Sequence, residues 1–182
     1  RNMWADGAED IDPETGYATI RSNAQNRYVP NFSYGKGKIV WNFESVNMPA
    51  GTDGFLYLNG DTWHWNGAAN GAGWIQIRIY PQDSTTKSSF KLHYDWTAEE
   101  FTLEESMNDI KTIELDTKVD PEDATKVNVT FSINGKVYYS GKKHNAFDLD
   151  GHKGVIFYSG FSGPFSPECT IVFKSLDYEV YE

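Results

Sequence analysis

The stretch 126–140, KVNVTFSINGKVYYS, constrains the fold more than any other part of the chain. Val127, Val129, Phe131 and Ile133 alternate with polar residues, the period of a strand with one buried face. Asn134-Gly135 follows, and both residue types accept the positive φ that a two-residue type I′ turn imposes at its central positions. The segment 136–140 then returns as the second strand. A hairpin is marginal alone, so its apolar face needs more strands or a second layer.

The rest of the chain supplies them. Ile39, Trp41 and Phe43 alternate within KIVWNFESV and place Trp41 in the core. The isoleucines of GWIQIRIYP (73–81), the apolar positions of FKLHYDW (90–96), GVIFYS (154–159) and CTIVFKSLDYEVY (169–181) repeat the pattern. Roughly a dozen such segments, separated by Gly, Pro, Asn and Asp, predict an all-β antiparallel sandwich (jelly roll) with at most one short helix. The candidate helix is TAEEFTLEESMN (97–108), which opens on a capping-box-like pattern but reads equally as two short polar strands. Residues 23–34 are polar and irregular, and no element is predicted there. A chain of 182 residues fits one domain spanning 1–182.

The net charge of -10, from 26 acidic and 16 basic residues, disfavours nucleic acid or an anionic membrane as partner, since both call for a basic face. No apolar run approaches the ~18 residues of a membrane-spanning helix, so membrane insertion is not expected. Cys169 is the lone cysteine and leaves no intrachain disulfide. The chain starts at Arg1 with no leader pattern. The expectation is a domain cut from a larger multidomain secreted or cell-surface bacterial protein.

Function is sought first in NGDTWHWNGAANGAGW (59–74), which sets three of six tryptophans among Gly, Asn and one Asp. On an extended segment Trp63 and Trp65 share one face, roughly 6.5 Å apart, with His64 on the other. Indole faces beside amides and a carboxylate suit a pyranose ring, which has an apolar C–H face and a hydroxyl rim. The same residues could instead fold over the sandwich edge as ordinary core. Trp74 shares its phase with Gln76, Arg78 and Tyr80, opposite Ile75, Ile77 and Ile79; it belongs either to the core or to a groove with those three. The predicted ligand set is Trp63, Trp65, Trp74, Asn59, Asp61, Asn66, Arg78 and Tyr80. Near the N-terminus, Asp10, Asp12 and Glu14 alternate around Pro13 and Gly16, either as a solvated acidic turn or as hard oxygen ligands for a structural calcium ion. No cofactor is otherwise expected.

The order KVNVTFSINGKVYYSGKK, HKGVIFYSGFSG, CTIVFKSLDYEVYE resembles the closing half of concanavalin A-like (laminin G-like) jelly rolls, a likeness in strand order over about residues 36–182. The resemblance implies the fold and a family that includes lectins, carbohydrate-binding modules, glycoside hydrolases and polysaccharide lyases. A hydrolase would need two carboxylates about 5 Å apart, and the nearest match, DIDPE at 10–14, is interrupted by Pro13. The closely spaced Glu99, Glu100, Glu104 and Glu105 read as a solvated face. A lyase would need a Tyr, His or Lys base with Arg or Gln to neutralise a uronate carboxylate; Gln76, Arg78, His93 and Tyr94 supply those types. His64, His93, His144 and His152 show no zinc spacing, and Cys169 has no linked histidine. The expectation is therefore a non-enzymatic carbohydrate-binding module for a neutral polysaccharide or oligosaccharide, a starch-like α-glucan first and a plant β-glucan second. The alternatives are a lyase or hydrolase of the same fold, or a cell-surface adhesin domain whose exposed aromatics bind protein.

Overall fold

The computed structural model describes residues 10–21, 25–28, 36–48, 55–62, 75–81, 87–94, 97–144, 155–162 and 170–181. Thirteen strands run through them: β1 Asp10–Ile11, β2 Ala18–Arg21, β3 Gln25–Tyr28, β4 Lys36–Asn47, β5 Phe55–Thr62, β6 Ile75–Pro81, β7 Lys87–Tyr94, β8 Thr97–Ser106, β9 Thr112–Val119, β10 Lys126–Ile133, β11 Lys136–His144, β12 Val155–Ser162 and β13 Thr170–Val180. They form a seven-stranded sheet, β1-β2-β13-β4-β9-β10-β11, and a six-stranded sheet, β3-β12-β5-β6-β7-β8. Every described pairing is antiparallel, the all-β sandwich read from the sequence.

The core of the seven-stranded sheet follows the alternation. Trp41 is 1% exposed and lies opposite Ile113 on β9 and Leu176 on β13. Phe131 and Phe173 are fully buried, and Phe173 packs on its partner Phe43 at 4.8 Å between ring centroids. Two register shifts between β4 and β13 leave Glu44 and Lys174 unmatched in the ladder. Each extra residue reverses the strand's phase, so Phe43 and Val46 both face the core, as do Phe173 and Leu176. The two extra residues meet outside, with Nζ of Lys174 3.8 Å from Oε2 of Glu44.

The hairpin turn has the expected geometry, with φ of 49° at Asn134 and 80° at Gly135. Asn134 does more than turn the chain. Its Oδ1 accepts the amides of Lys111 (2.7 Å) and Thr112 (3.0 Å), and its Nδ2 donates to the Asp109 carbonyl (3.0 Å).

Two segments depart from the sequence reading. The candidate helix at 97–108 is strand β8, paired with β7 from Tyr94 opposite Thr97 onward. Pairing satisfies its backbone, and alternation buries Leu103 while Thr102 and Glu104 stay exposed, so the tertiary partner overrides the capping-box pattern. Among the described residues helix is confined to one 3-10 turn, Met107–Asp109, capped by the Ser106 hydroxyl, which accepts the Asn108 amide at 3.3 Å. The second departure is β3, inside the stretch for which no element was predicted.

Strand β8 ends the six-stranded sheet and β11 ends the other, and the two are clasped. A register shift leaves Tyr138 unmatched on β11, and its hydroxyl accepts the Glu104 amide at 3.3 Å. Lys136 makes an ion pair with Glu104, and Tyr139 meets Phe101 edge-on at 5.9 Å. Farther along β11, Lys142 pairs with buried Asp120, which also accepts the Glu122 amide at 3.0 Å. Lys142 first and that amide second hold the Asp120 carboxyl below the ordinary carboxylate range, and Asp120 in turn raises Lys142.

Candidate functional site on the six-stranded sheet

Antiparallel pairing carries residues far apart in sequence into rows across the sheet, and every second residue of a strand falls on the same face. One row runs Arg27 on β3, Tyr158 on β12, Asn59 on β5, Gln76 on β6, His93 on β7 and Ala98 on β8. The next row on that face runs Gln25, Gly160, Tyr57, Arg78, Lys91 and Glu100. Strand β8 fixes which face this is. Leu103 is buried and Phe101 meets Tyr139 of the opposite sheet, whereas Thr102 is exposed, so the positions of Ala98 and Glu100 share the outer face.

The intervening rows are apolar at their centre, as in Leu56-Ile79-Phe90-Phe101 and Leu58-Ile77-Leu92, the second of which runs on to Ser159 and Asn26 at one end and Glu99 at the other. On β6 the alternation read from the sequence holds in the register, with Ile77 and Ile79 in the intervening rows and Gln76 and Arg78 in the first two. With strands about 4.8 Å apart, the row from Arg27 to His93 extends roughly 19 Å across five strands. That is a path with a hydrogen-bonding residue at each step.

Among the predicted ligand residues, Asn59 and Asp61 lie on β5, and Arg78 and Tyr80 on β6. The register brings Asn59 opposite Gln76 and Arg78 opposite Tyr57, while Asp61 is paired with Ile156 and Tyr80 with Ser89. Trp63, Trp65, Asn66 and Trp74 lie outside the described residues. Two residues that sequence reasoning did not single out, Arg27 and Tyr158, join Asn59 and Gln76 in the first row. Tyr158 stood within a recognised strand. Arg27 was hidden because β3, QNRY, has no apolar alternation to betray it.

The acidic turn is a backbone-capping arrangement. Oδ1 of Asp12 accepts the amides of Glu14 (2.8 Å) and Thr15 (3.3 Å), and those bonds, Glu14 first, lower its pKa. Asp12 and Glu14 are exposed, and Asp10 sits on β1 opposite Thr19. Among the described residues no group of three or more His, Cys, Asp or Glu is disposed to hold a metal ion. Nor is any described helix long and apolar enough to cross a membrane.

Neither a protein-family model nor a curated protein matches the sequence. Solved structures do match in three dimensions. A variant of alginate lyase Aly36B in complex with alginate trisaccharide superposes with a TM-score of 0.61 at 13% identity, covering 94% of this chain and 84% of that one. A structure of botulinum neurotoxin type C, whose cell entry depends on interaction with two ganglioside molecules, gives 0.59 at 12%, covering 99% of this chain and 43% of that one. A prokaryotic beta-1,3-1,4-glucanase (lichenase) derived from a mouse hindgut metagenome gives 0.53 at 12%, covering 98% and 91%. At such identities the likeness establishes the fold, a jelly-roll β-sandwich consistent with the concanavalin A-like resemblance.

Proposed function

We propose that this chain is a non-catalytic carbohydrate-binding domain whose site is the outer face of the six-stranded sheet. The observation that carries the reading is the row Arg27, Tyr158, Asn59, Gln76, His93, which sets hydrogen-bonding residues on successive strands across the sheet. A sugar chain presents hydroxyls along its length and needs such partners at intervals, with aromatic faces to cover its C–H surfaces. Tyr57 and Tyr158 stand on those rows, and the segment 63–74 with Trp63, Trp65 and Trp74 joins β5 to β6 in sequence. The three structural neighbours, which include a lyase bound to an alginate trisaccharide and a glucanase, support carbohydrate as the ligand class by analogy of fold.

Whole-chain charge and the tryptophan segment favour a neutral glucan, starch-like or plant β-glucan, so those polymers belong in the test. Native affinity electrophoresis through gels containing amylopectin, β-glucan, xyloglucan, pectin or polygalacturonate compares the wild type with Asn59→Ala/Gln76→Ala and with Trp63→Ala/Trp65→Ala. Retardation lost in the first variant, with an unchanged circular dichroism spectrum, supports the sheet face; free migration of the wild type in every gel refutes carbohydrate binding.

A second reading is favoured by the same row. Tyr158 and His93 are of the type that abstracts a proton α to a carboxylate, and Gln76 and Arg27 of the type that neutralises that carboxylate. A polysaccharide lyase would release unsaturated uronate products with ultraviolet absorbance from a polyuronate. No absorbance rise at high protein concentration over a day disposes of that reading and leaves binding intact.

A further inference from the structure

We propose that Asn134-Gly135 is a site of spontaneous deamidation that the fold holds shut, and that the modification, once made, keeps the corner between the 3-10 turn and β9 from closing again. The chemistry lies in the dipeptide. The Gly135 backbone nitrogen gives its proton to solvent and attacks Cγ of Asn134; the Cγ–Nδ2 bond breaks, and ammonia leaves with a proton taken from solvent. Water then opens the five-membered imide at either carbonyl. One water is consumed and one ammonia released, with no oxidant or reductant. The product, aspartate or isoaspartate, adds one negative charge to a chain whose net charge is -10. Glycine favours the attack because no Cβ shields its nitrogen, and both residues of the pair are exposed to water.

The folded chain opposes this reaction in two ways. The Asn134 amide group is pinned by Lys111, Thr112 and Asp109, 22 to 25 residues away in sequence, and its leaving nitrogen, Nδ2, is the donor to the Asp109 carbonyl. The backbone is fixed as well. The Asn134 amide donates to the Thr112 carbonyl at 2.9 Å, and the positive φ at both Asn134 and Gly135 defines a type I′ turn. Closing the imide ring flips the peptide between the two residues toward type II′ geometry, in which the second φ is negative. One effect acts the other way: two amides on Oδ1 polarise the Cγ carbonyl and would stabilise the charge that attack develops there. Geometry decides, because that stabilisation operates only once the turn has flipped and Cγ has met the Gly135 nitrogen. A side chain pinned at three points to a second segment does not follow its backbone through the flip.

The segment that holds the amide is itself fastened. The Lys111 carbonyl accepts the Phe43 amide at 2.8 Å, its Nζ donates to the Glu44 carbonyl at 2.7 Å, and Ile110 and Ile113 on either side are fully buried. Deamidation therefore waits for the corner to open locally. Afterwards the return is blocked. Isoaspartate carries the chain through Cγ, adds a methylene to the backbone and leaves a carboxylate on Cα, so no side-chain amide remains to reach Lys111, Thr112 and Asp109. Aspartate keeps the two accepted bonds, loses the donor, and sets a carboxylate oxygen against the Asp109 carbonyl.

The chain has four such pairs, Asn59-Gly60, Asn66-Gly67, Asn70-Gly71 and Asn134-Gly135, and in urea all four react from an open chain, which calibrates the chemistry. The whole protein is incubated folded and urea-denatured in the same mildly alkaline buffer, and peptide mapping by mass spectrometry follows the mass gain at each pair. Asn134 should react at least about 10-fold more slowly in the folded chain, the lower limit that three exposed hydrogen bonds set on opening. An equal rate at Asn134 in the two states overturns the proposal. After refolding, anion-exchange fractions modified at Asn134 should unfold at lower urea concentration than fractions modified only at other pairs, and lower than the Asn134→Asp variant, which carries the charge without the extra methylene. A midpoint at Asn134-modified chains equal to that of unmodified protein shows that the corner closes regardless and overturns the second half of the proposal.

Discussion

Asn134 should behave as a structural anchor whose contribution can be divided experimentally. Its side chain makes three hydrogen bonds across the corner between the 3-10 turn and β9, and its backbone holds a φ of 49°. Because the residue is exposed, each bond is taken at the lower part of the usual range, about 0.5–1 kcal/mol, or about 1.5–3 kcal/mol for three. Alanine in the left-handed region adds about 1–2 kcal/mol, so Asn134→Ala should cost about 2.5–5 kcal/mol. Asn134→Gly keeps the turn and loses only the bonds, about 1.5–3 kcal/mol. Asn134→Asp keeps the acceptor for Lys111 and Thr112 and should lose least. Urea unfolding followed by tryptophan fluorescence, extrapolated with a common slope, ranks the three. If the Ala and Gly variants both unfold within about 0.5 kcal/mol of wild type, the hairpin tip does not secure that corner and the reasoning fails.

Other consequences are as direct. Phe131→Ala, at a fully buried site, should lose about 3–5 kcal/mol and lower Tm by roughly 6–20 °C; a smaller shift than about 4 °C would mean that the core closes over the space. A Cβ added at Gly141 would stand 2.5 Å from Oη of Tyr139, so Gly141→Ala should swing the ring off Phe101, alter the near-ultraviolet dichroism and cost about 1 kcal/mol; an unmoved Tyr139 in the variant's structure contradicts this. Asp120 has a lowered folded pKa, so its contribution is present above the unfolded value of about 3.9 and is lost as pH falls through the folded value; Lys142, raised, keeps its share below about 10.4 and loses it as pH rises through the folded value. The stability gap between wild type and Asp120→Asn should thus be flat at neutral pH and close on acidification below about pH 4, and a gap of undiminished size in strong acid would show the ion pair to be irrelevant. Glu44 and Lys174 are both about half exposed, and a double-mutant cycle should return no more than about 0.5 kcal/mol between them.

What could be read from the sequence was what neighbouring residues decide. The hairpin at Asn134-Gly135 and the burial of Trp41 and Phe131 follow from alternation and turn chemistry within a dozen residues. The bulges at Glu44 and Lys174 did not, because an extra residue is defined only against the partner strand. Strand β3 was invisible for a related reason: QNRY has no apolar phase and becomes a strand by pairing with β12, more than 120 residues away. The candidate site suffered most. Asn59, Asp61, Arg78 and Tyr80 were found on strands that carry their own apolar signal, but the alignment of Arg27 and Tyr158 with Asn59 and Gln76 is a matter of register between distant segments. The capping-box pattern at Thr97 misled in the opposite direction, since a local preference of this size yields to an open strand edge.

The place of β13 bears on how the chain reaches this state. It lies between β2 and β4, inside the seven-stranded sheet, and is made of residues 170–180. While a ribosome is still extending the chain, β9, β10 and β11 can assemble and β4 can join them, leaving one long flank of β4 with its amides and carbonyls bare. That flank is a template for any passing strand, including one from a neighbouring nascent chain. The strand that ends this exposure is thus made after the other twelve, and a ribosome stalled before residue 170 would leave a product prone to aggregate.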